Sequence, residues 1–185
     1  IANGGKIYRP YVVKDIYEPN GELAKTFTPE LLGQIKLKNQ KTLKFIREGL
    51  YQVVNNPKGT AFYRRGQGIQ MAGKTGTSQV KSASADKVYQ KCENMDHDSR
   101  HHGLFVAFAP YDKPKIAAAV IVEHGCHGSS AATPVAEAVI TQYMKKYQPQ
   151  MYLENLEKDK QVKDNWIQSL RSTPVKKPTE EAGEE

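Results

Sequence analysis

The sequence is poor in several things, and each shortage excludes a class of protein. It has 185 residues with two cysteines and one tryptophan, and its first residue is not methionine. No apolar run approaches the roughly 20 residues that a membrane-crossing helix needs. Cys92 and Cys126 are too few to build a disulfide scaffold. A single bridge between them suits an oxidising compartment, but their spacing does not demand one. No secretory leader is visible. Ile1-Ala2-Asn3-Gly4-Gly5 reads as the end of a helix followed by a glycine cap. The expectation is therefore a piece cut from a longer chain, with any leader or anchor ahead of it.

Acidic residues are in the minority: 27 Lys and Arg against 20 Asp and Glu leave a net charge of +7. A basic balance invites a nucleic-acid or membrane-surface reading. Here the Lys and Arg residues are scattered rather than striped, and the aromatic residues form no RNA-binding motif. Solvated surface accounts for the charge better, and no nucleic-acid partner is expected. With 38% hydrophobic and 25% charged residues, the chain has the make-up of one globular domain or part of one.

Lys6 to Glu18 carries Tyr8, Tyr11, Val13 and Ile16 in loose alternation and reads as a strand. Pro19-Asn20-Gly21 is turn chemistry, and Leu23 to Phe27 would return as a second strand. Asn39 is placed to cap a helix whose apolar stripe is Leu43, Ile46, Leu50 and Val53. Asn55-Asn56-Pro57 stops it. Ile69 to Val80 is a strand candidate, and 81–102 is a long polar excursion. Leu104 to Ala109 and Ile116 to Val122 are apolar runs joined by a turn at Pro110–Pro114. Neither run alternates, which predicts a sheet covered by helices on both faces. Thr133-Pro134 opens a last core helix with Val135, Val139, Tyr143 and Tyr147 toward the sheet. Met151 to Arg171 reads as a surface helix. Ser172 to Glu185 is rich in Pro, Lys and Glu and reads as disordered. Together these elements predict an α+β architecture, an antiparallel sheet with packed helices.

The chemistry is concentrated in Met71-Ala72-Gly73-Lys74-Thr75-Gly76-Thr77-Ser78. A Lys-Thr-Gly on an edge strand has a physical logic in acyl transfer. Gly76 leaves room for a substrate backbone to lie along the strand. Lys74 supplies a fixed positive charge for a carboxylate and for control of neighbouring pKa values. Thr75 and Thr77 offer hydroxyls, and the Thr77 backbone N–H is a donor for an oxyanion. The triplet is one of three elements of serine β-lactamases and penicillin-binding proteins. By itself it is a weak pattern, and the bland alternative is a glycine-punctuated strand with a surface lysine.

Its neighbourhood decides between them. Gly59-Thr60-Ala61, then Ala72 to Val80, then His102-Gly103-Leu104-Phe105-Val106-Ala107-Phe108-Ala109-Pro110-Tyr111, resemble class B penicillin-binding proteins. So do Pro114 to Ala117 and Val120-Ile121-Val122-Glu123-His124-Gly125. Within that family the resemblance is to penicillin-binding protein 2, the rod-shape elongation type, to which Asn3-Gly4-Gly5 and Gly49 to Asn55 are also similar. It covers residues 1–147 in order, the C-terminal part of a transpeptidase domain, and leaves 148–185 as a polar, partly disordered tail.

The resemblance implies an α/β/α sandwich of the transpeptidase and serine β-lactamase type, of which this chain is the C-terminal portion. It implies a serine D,D-transpeptidase acting on peptidoglycan stem peptides that end in D-Ala-D-Ala, and inhibited by β-lactam antibiotics. Lys74 and Thr75 would be catalytic, while Gly76 and Thr77 would bind substrate and complete the oxyanion hole. It further implies no cofactor and no metal, and elongation-complex partners including a lipid-II polymerase and a periplasmic scaffold. The location would be the periplasmic face of the bacterial inner membrane, with the N-terminal anchor outside this chain.

The family's other motifs, Ser-x-x-Lys and Ser-x-Asn, lie upstream in its members, and no Ser-x-Asn occurs here. Ser78-Gln79-Val80-Lys81 and Ser84-Ala85-Asp86-Lys87 match the first pattern but follow the Lys-Thr-Gly strand instead of preceding it. Neither is taken as the nucleophile, and the fragment alone is expected to be inactive, with apolar surface exposed where the missing helical part should pack. His97 and His101 stand four apart and invite a zinc reading together with Cys92, Asp96, Asp98 and His102. The spacing fits no established pattern, and solvent-facing histidines are the preferred reading. Cys126-His127, flanked by Gly125 and Gly128 and expected near a strand end close to the active-site cleft, lacks an orienting partner for a cysteine nucleophile and reads as packing; Arg64-Arg65 reads as surface. Two alternatives stay open: a β-lactamase or D,D-carboxypeptidase, and a non-catalytic sensor or scaffold domain.

Overall fold

The computed structural model describes residues 1–81 and 90–172. The opening residues form a turn, with Gly4 and Gly5 both at positive φ (76° and 87°). The strand expected over Lys6–Glu18 is two strands, β1 (Lys6–Tyr8) and β2 (Asp15–Tyr17), in different sheets. Pro10 divides them, because it has no N–H to offer a ladder. β2 pairs antiparallel with β3 (Leu23–Thr26) around the Asn20-Gly21 turn, and β1 pairs with β4 (Leu31–Gln34). The result is a nested ribbon, continued between the pairs by Arg9 N to Glu30 O and Phe27 N to Lys14 O.

Asn39 caps α1 (Gln40–Asn55), its side chain accepting a hydrogen bond from Lys41 N. The inner face of α1 differs from the expected stripe at one position. Leu43, Leu50 and Val53 are partly buried and Val54 fully so, whereas Ile46 is exposed and Arg47 takes the inward place. Arg47 donates to Tyr111 O and lies over the Phe108 and Tyr111 rings. A long cation can fill such a site by burying its stem and stacking its head.

The central sheet has the order β5 (Ala72–Ser78), β6 (His102–Ala109), β7 (Ile116–Val122), all antiparallel, with β5 at an edge. One face carries Gly73, Thr75, Phe105, Ala107, Val120 and Ala118, assigned from the register and the alternation of side chains along a strand. α2 (Thr133–Tyr147) covers this face and closes a core of Val54, Ile69, Met71, Phe105, Ile140 and Met144. The stripe that α2 buries is Ala136, Ile140 and Met144, spaced four apart; Val135, Val139 and Tyr147 face outward. Apolar content alone placed the helix one residue out of phase. Thr133 is the first helical residue rather than the cap, and its hydroxyl donates to Gly128 O across a π turn, Gly128–Ala132.

The other face carries Lys74, Gly76, Val106, Ala119 and Ile121. α1 covers only the end of this face at Ala72 and Phe108, which are buried, with Arg47 over the Phe108 ring; beyond it Val106 is 53% and Ile121 65% exposed. Among the described residues the expectation of helices on both faces is met on the α2 face and, on the other, only at the end that α1 covers. β7 alternates, with Ala117, Ala119 and Ile121 outward, because only one of its faces has a partner here. A concavity of about 680 Å³ lies on the open face, lined by Ile1, Leu50, Gly73, Val106, Phe108 and Ala119 among others.

α3 (Pro149–Ser172) forms where a surface helix was expected, but its first half is docked. Asn155 is buried, Tyr152 lies against Gly68, and Asp159 Oδ2 accepts from Gly68 N at 2.7 Å. The disorder expected from Ser172 onward falls on 173–185, outside the described residues. No helix of the described residues is long and apolar enough to cross a membrane.

Candidate active-site wall

Lys74, Thr75, Gly76 and Thr77 occupy the middle of edge strand β5, opposite Val106, Phe105, Leu104 and Gly103 of β6. An edge strand pairs through alternate backbone groups only, so every second N–H and C=O of β5 points away from β6. Lys74 is exposed, and its Nζ donates to Thr75 O at 2.7 Å. Thr75 and Gly76 are half-buried and Thr77 is exposed. The four residues expected to act together are thus contiguous on one accessible rim.

Neighbouring segments hold that rim in place. Thr60 Oγ1 lies 3.0 Å from Thr75 Oγ1, which ties Gly59-Thr60-Ala61 to the strand. Asn55 Nδ2 donates to Met71 O and fixes the end of α1 against the start of β5. A Cβ on Gly73 would stand 2.5 Å from Phe105 Cζ and 2.6 Å from Val106 O, so the core ring itself requires glycine there. At Gly76 the nearest atom to a Cβ would be Leu104 Cβ at 3.4 Å, an ordinary contact. Packing within this chain therefore leaves space beside Gly76.

Gly128, beside the Cys126-His127 pair, and Gly103 complete the arrangement. A Cβ on Gly128 would lie 2.0 Å from Leu104 O, 2.6 Å from Gly76 O and 3.0 Å from Gly76 N. One on Gly103 would lie 2.8 Å from His127 O. The turn ahead of α2 is packed backbone to backbone on the second half of the Lys-Thr-Gly strand. Cys126-His127-Gly128 offered a hint of this in its flanking glycines, but only the fold shows which backbone they approach.

The competing motifs resolve differently. Ser78 ends β5 opposite His102, on a strand rather than at a helix start; Ser84 to Lys87 lie outside the described residues. Cys126 is bonded to Cys92 with Cα atoms 5.6 Å apart, so neither carries a free thiol. His127 Nε2 instead meets Glu93 Oε1 at 3.1 Å. The Glu93 carboxyl is held below its ordinary range, first by its own backbone amide and then by His127. His97 and His101 share no helical face, since residues His97–Ser99 form a 3₁₀ turn. Arg64 and Arg65 are exposed, with Arg65 over the Phe62 ring.

Known proteins agree with this geometry. Residues 1–141 match the family described as the penicillin binding protein transpeptidase domain. The peptidoglycan D,D-transpeptidase MrdA of Haemophilus influenzae is 32% identical over 155 residues, covering 82% of this chain and 23% of that protein. Among solved structures, the D,D-transpeptidase domain of a peptidoglycan glycosyltransferase from Eggerthella lenta aligns with a TM-score of 0.60. It shares 28% identity over 78% of this chain and 29% of that one. Pseudomonas aeruginosa PBP2 in complex with WCK 5153 aligns at 0.55, with 30% identity over 79% of this chain and 28% of that one. The chain thus spans about a quarter of the length of its relatives, and its sheet and helices have the α+β transpeptidase fold. The chain belongs to the penicillin-binding protein transpeptidase family.

Proposed function

We propose that this chain is the C-terminal part of a peptidoglycan D,D-transpeptidase of the rod-shape elongation type, and that it supplies one wall of the active site. The observation that carries this reading is Lys74-Thr75-Gly76-Thr77 on an accessible edge strand, with space beside Gly76 and the adjoining open face of the sheet unfilled. The nucleophilic serine belongs to a segment outside this chain that packs on that face. The chain alone is inactive.

In the whole protein the serine Oγ attacks the carbonyl carbon of the penultimate D-Ala. The C–O bond forms, the carbonyl electrons move to oxygen, and the Thr77 N–H stabilises that oxyanion. A base outside this chain takes the serine proton; collapse breaks the C–N bond, that proton passes to the departing D-Ala nitrogen, and an acyl-enzyme remains. The amine of a second stem peptide then attacks the ester, and the serine recovers its proton. Lys74 attracts the terminal carboxylate, Thr75 holds the strand edge in register with Thr60, and Gly76 admits the stem-peptide backbone. A β-lactam resembles the D-Ala-D-Ala end and stops at the acyl-enzyme.

The Cys92–Cys126 disulfide suits the oxidising, periplasmic side of the membrane. The chain works there beside a lipid-II polymerase and a periplasmic scaffold. The test is a crosslinking assay with the purified whole protein, stem pentapeptides and an amine acceptor. Release of D-Ala with formation of the crosslinked dimer supports transfer to an amine. Release of D-Ala with only the hydrolysed tetrapeptide points to a carboxypeptidase, and no release to a sensor or scaffold.

A further inference from the structure

Away from the Lys-Thr-Gly residues, the fold gathers metal-ligating side chains that stand far apart in the sequence. His97 and Asp98 lie in the 3₁₀ turn of the excursion after β5, and His124 lies just beyond β7. One ligating atom from each falls within 4.8 Å of the others. Spacing in the sequence pairs His97 with His101, but the fold does not. His101 Nδ1 is buried and finds no hydrogen-bond partner among the described residues. The ring beside His97 is that of His124, with centroids 4.8 Å apart.

Three features organise the group before any ion arrives. The Cys92–Cys126 bond fastens the excursion to the turn that bears His124, and Cys126 N donates to His101 O beside it. His124 sits at φ +57°, a conformation that a non-glycine residue adopts at a cost unless its surroundings hold it. Its backbone N–H donates to His102 Nδ1, and its own Nδ1 lies 3.2 Å from Arg100 O. A carbonyl only accepts, so His124 Nδ1 carries the proton and Nε2 keeps a free lone pair. An imidazole oriented by a carbonyl at its second nitrogen is the usual outer support of a metal-bound histidine.

One pair already has a separation that suits a shared ion, and His124 offers its ligand atom within 4.8 Å of both. His97 Nδ1 and Asp98 Oδ1 are 3.0 Å apart. Two ligands at about 2.0–2.1 Å on a tetrahedral zinc ion stand about 3.3 Å apart. Both side chains are largely exposed, which leaves a side open to water.

We propose that His97, Asp98 and His124 form a zinc-class divalent metal site, with His124 ligating through Nε2 and water completing the coordination. Two imidazoles and one carboxylate select zinc, cobalt or nickel over magnesium and calcium, which prefer all-oxygen shells. Binding replaces the hydrogen bond between His97 and Asp98. It also pins the 92–101 segment to the end of β7. That segment reaches the exit of β5, where Lys81 Nζ donates to Ser99 Oγ at 3.2 Å. None of the three ligands belongs to β5, so the site stands or falls independently of acyl transfer.

The test uses the whole protein that carries this chain, stripped with a chelator and titrated with cobalt(II) alone. Absorption in the visible region is followed, and thermal unfolding is measured with and without zinc(II). The comparison proteins are His97→Gln, Asp98→Asn and His124→Asn, the last chosen because asparagine accepts positive φ more readily than most residues. The wild type is expected to bind one more equivalent of cobalt than each variant, with the absorption of a four-coordinate ion. Affinity at this site should fall at least about 100-fold in each variant, since losing only a ligand's outer support costs about 10- to 100-fold. The zinc-dependent rise in melting temperature should shrink with it. Equal cobalt uptake and equal zinc protection in the wild type and in the two exposed-residue variants, His97→Gln and Asp98→Asn, would overturn the assignment.

Discussion

A Cβ built on Gly128 would stand 2.6 Å from the carbonyl oxygen of Gly76. The turn that launches α2 and the third residue of the Lys-Thr-Gly motif are therefore in direct backbone contact. Below 3.0 Å against backbone something has to move; Leu104 O of β6 is met first and Gly76 O next, so a shift reaches both strands beside the site. Gly128→Ala in the whole protein is expected to slow acylation by a β-lactam on the order of 10- to 100-fold, the cost of sub-ångström to ångström misplacement of a reacting group. Gly33→Ala is the control, since a Cβ there meets nothing within 4 Å. Stopped-flow acylation rates check both; an unchanged rate in Gly128→Ala would separate the turn from the site.

The hydroxyls of Thr60 and Thr75, 3.0 Å apart, couple a second segment to the same strand. Thr60→Val keeps the shape and removes the partner. A neutral hydrogen bond contributes about 1 kcal/mol, which corresponds to about a fivefold fall in acylation rate if it holds Thr75 in its reactive orientation. Circular dichroism should be unchanged while the rate falls. A melting temperature that drops with no change in rate would make the contact structural only.

Glu48 and Tyr111 predict a pH signature away from the motif. Tyr111 OH donates to Glu48 Oε2 at 3.0 Å. The Glu48 carboxyl is held below its ordinary 4.5, first by Gln52 and next by Tyr111, with Lys44 adding. Tyr111 is raised above 10.0, chiefly by Glu48. For the depressed carboxyl, the linked stability is present above its unfolded pKa and is lost as pH falls through the folded value. For the raised phenol it is present below 10.0 and is lost as pH rises through the folded value. Tyr111→Phe should leave a flatter stability profile at both ends, a small effect because Glu48 is exposed and Tyr111 only partly buried. Melting temperatures measured from pH 3 to 11 on the order of one unit apart would check this; parallel profiles for wild type and variant would contradict it.

Local chemistry was legible where one residue type answers one physical need. Asn39 capping α1, Asn20-Gly21 turning the inner hairpin and the two apolar runs of β6 and β7 all appear as read. The phase of α2 was not, because Val135 and Val139 offer an apolar stripe as well as Ala136 and Ile140 do, and packing on the sheet buries the second pair and leaves the first exposed. Arg47 inside α1 was hidden because its burial depends on the Phe108 and Tyr111 rings of a different element. The Lys-Thr-Gly residues could be found from their neighbourhood in the chain. Gly128 beside Gly76, and His124 beside His97, could not, since those meetings are made by long-range packing and the Cys92–Cys126 bond.

The most direct measurement of the central claim is labelling with fluorescent penicillin, read on a denaturing gel. The whole protein, its Lys74→Ala variant and the present chain by itself are run side by side. The account predicts a bright band for the whole protein, a band weaker by at least about tenfold for Lys74→Ala, and none for the chain alone. A dark whole protein would contradict acyl transfer and leave a scaffold, and a labelled isolated chain would mean that a serine within these residues is the nucleophile.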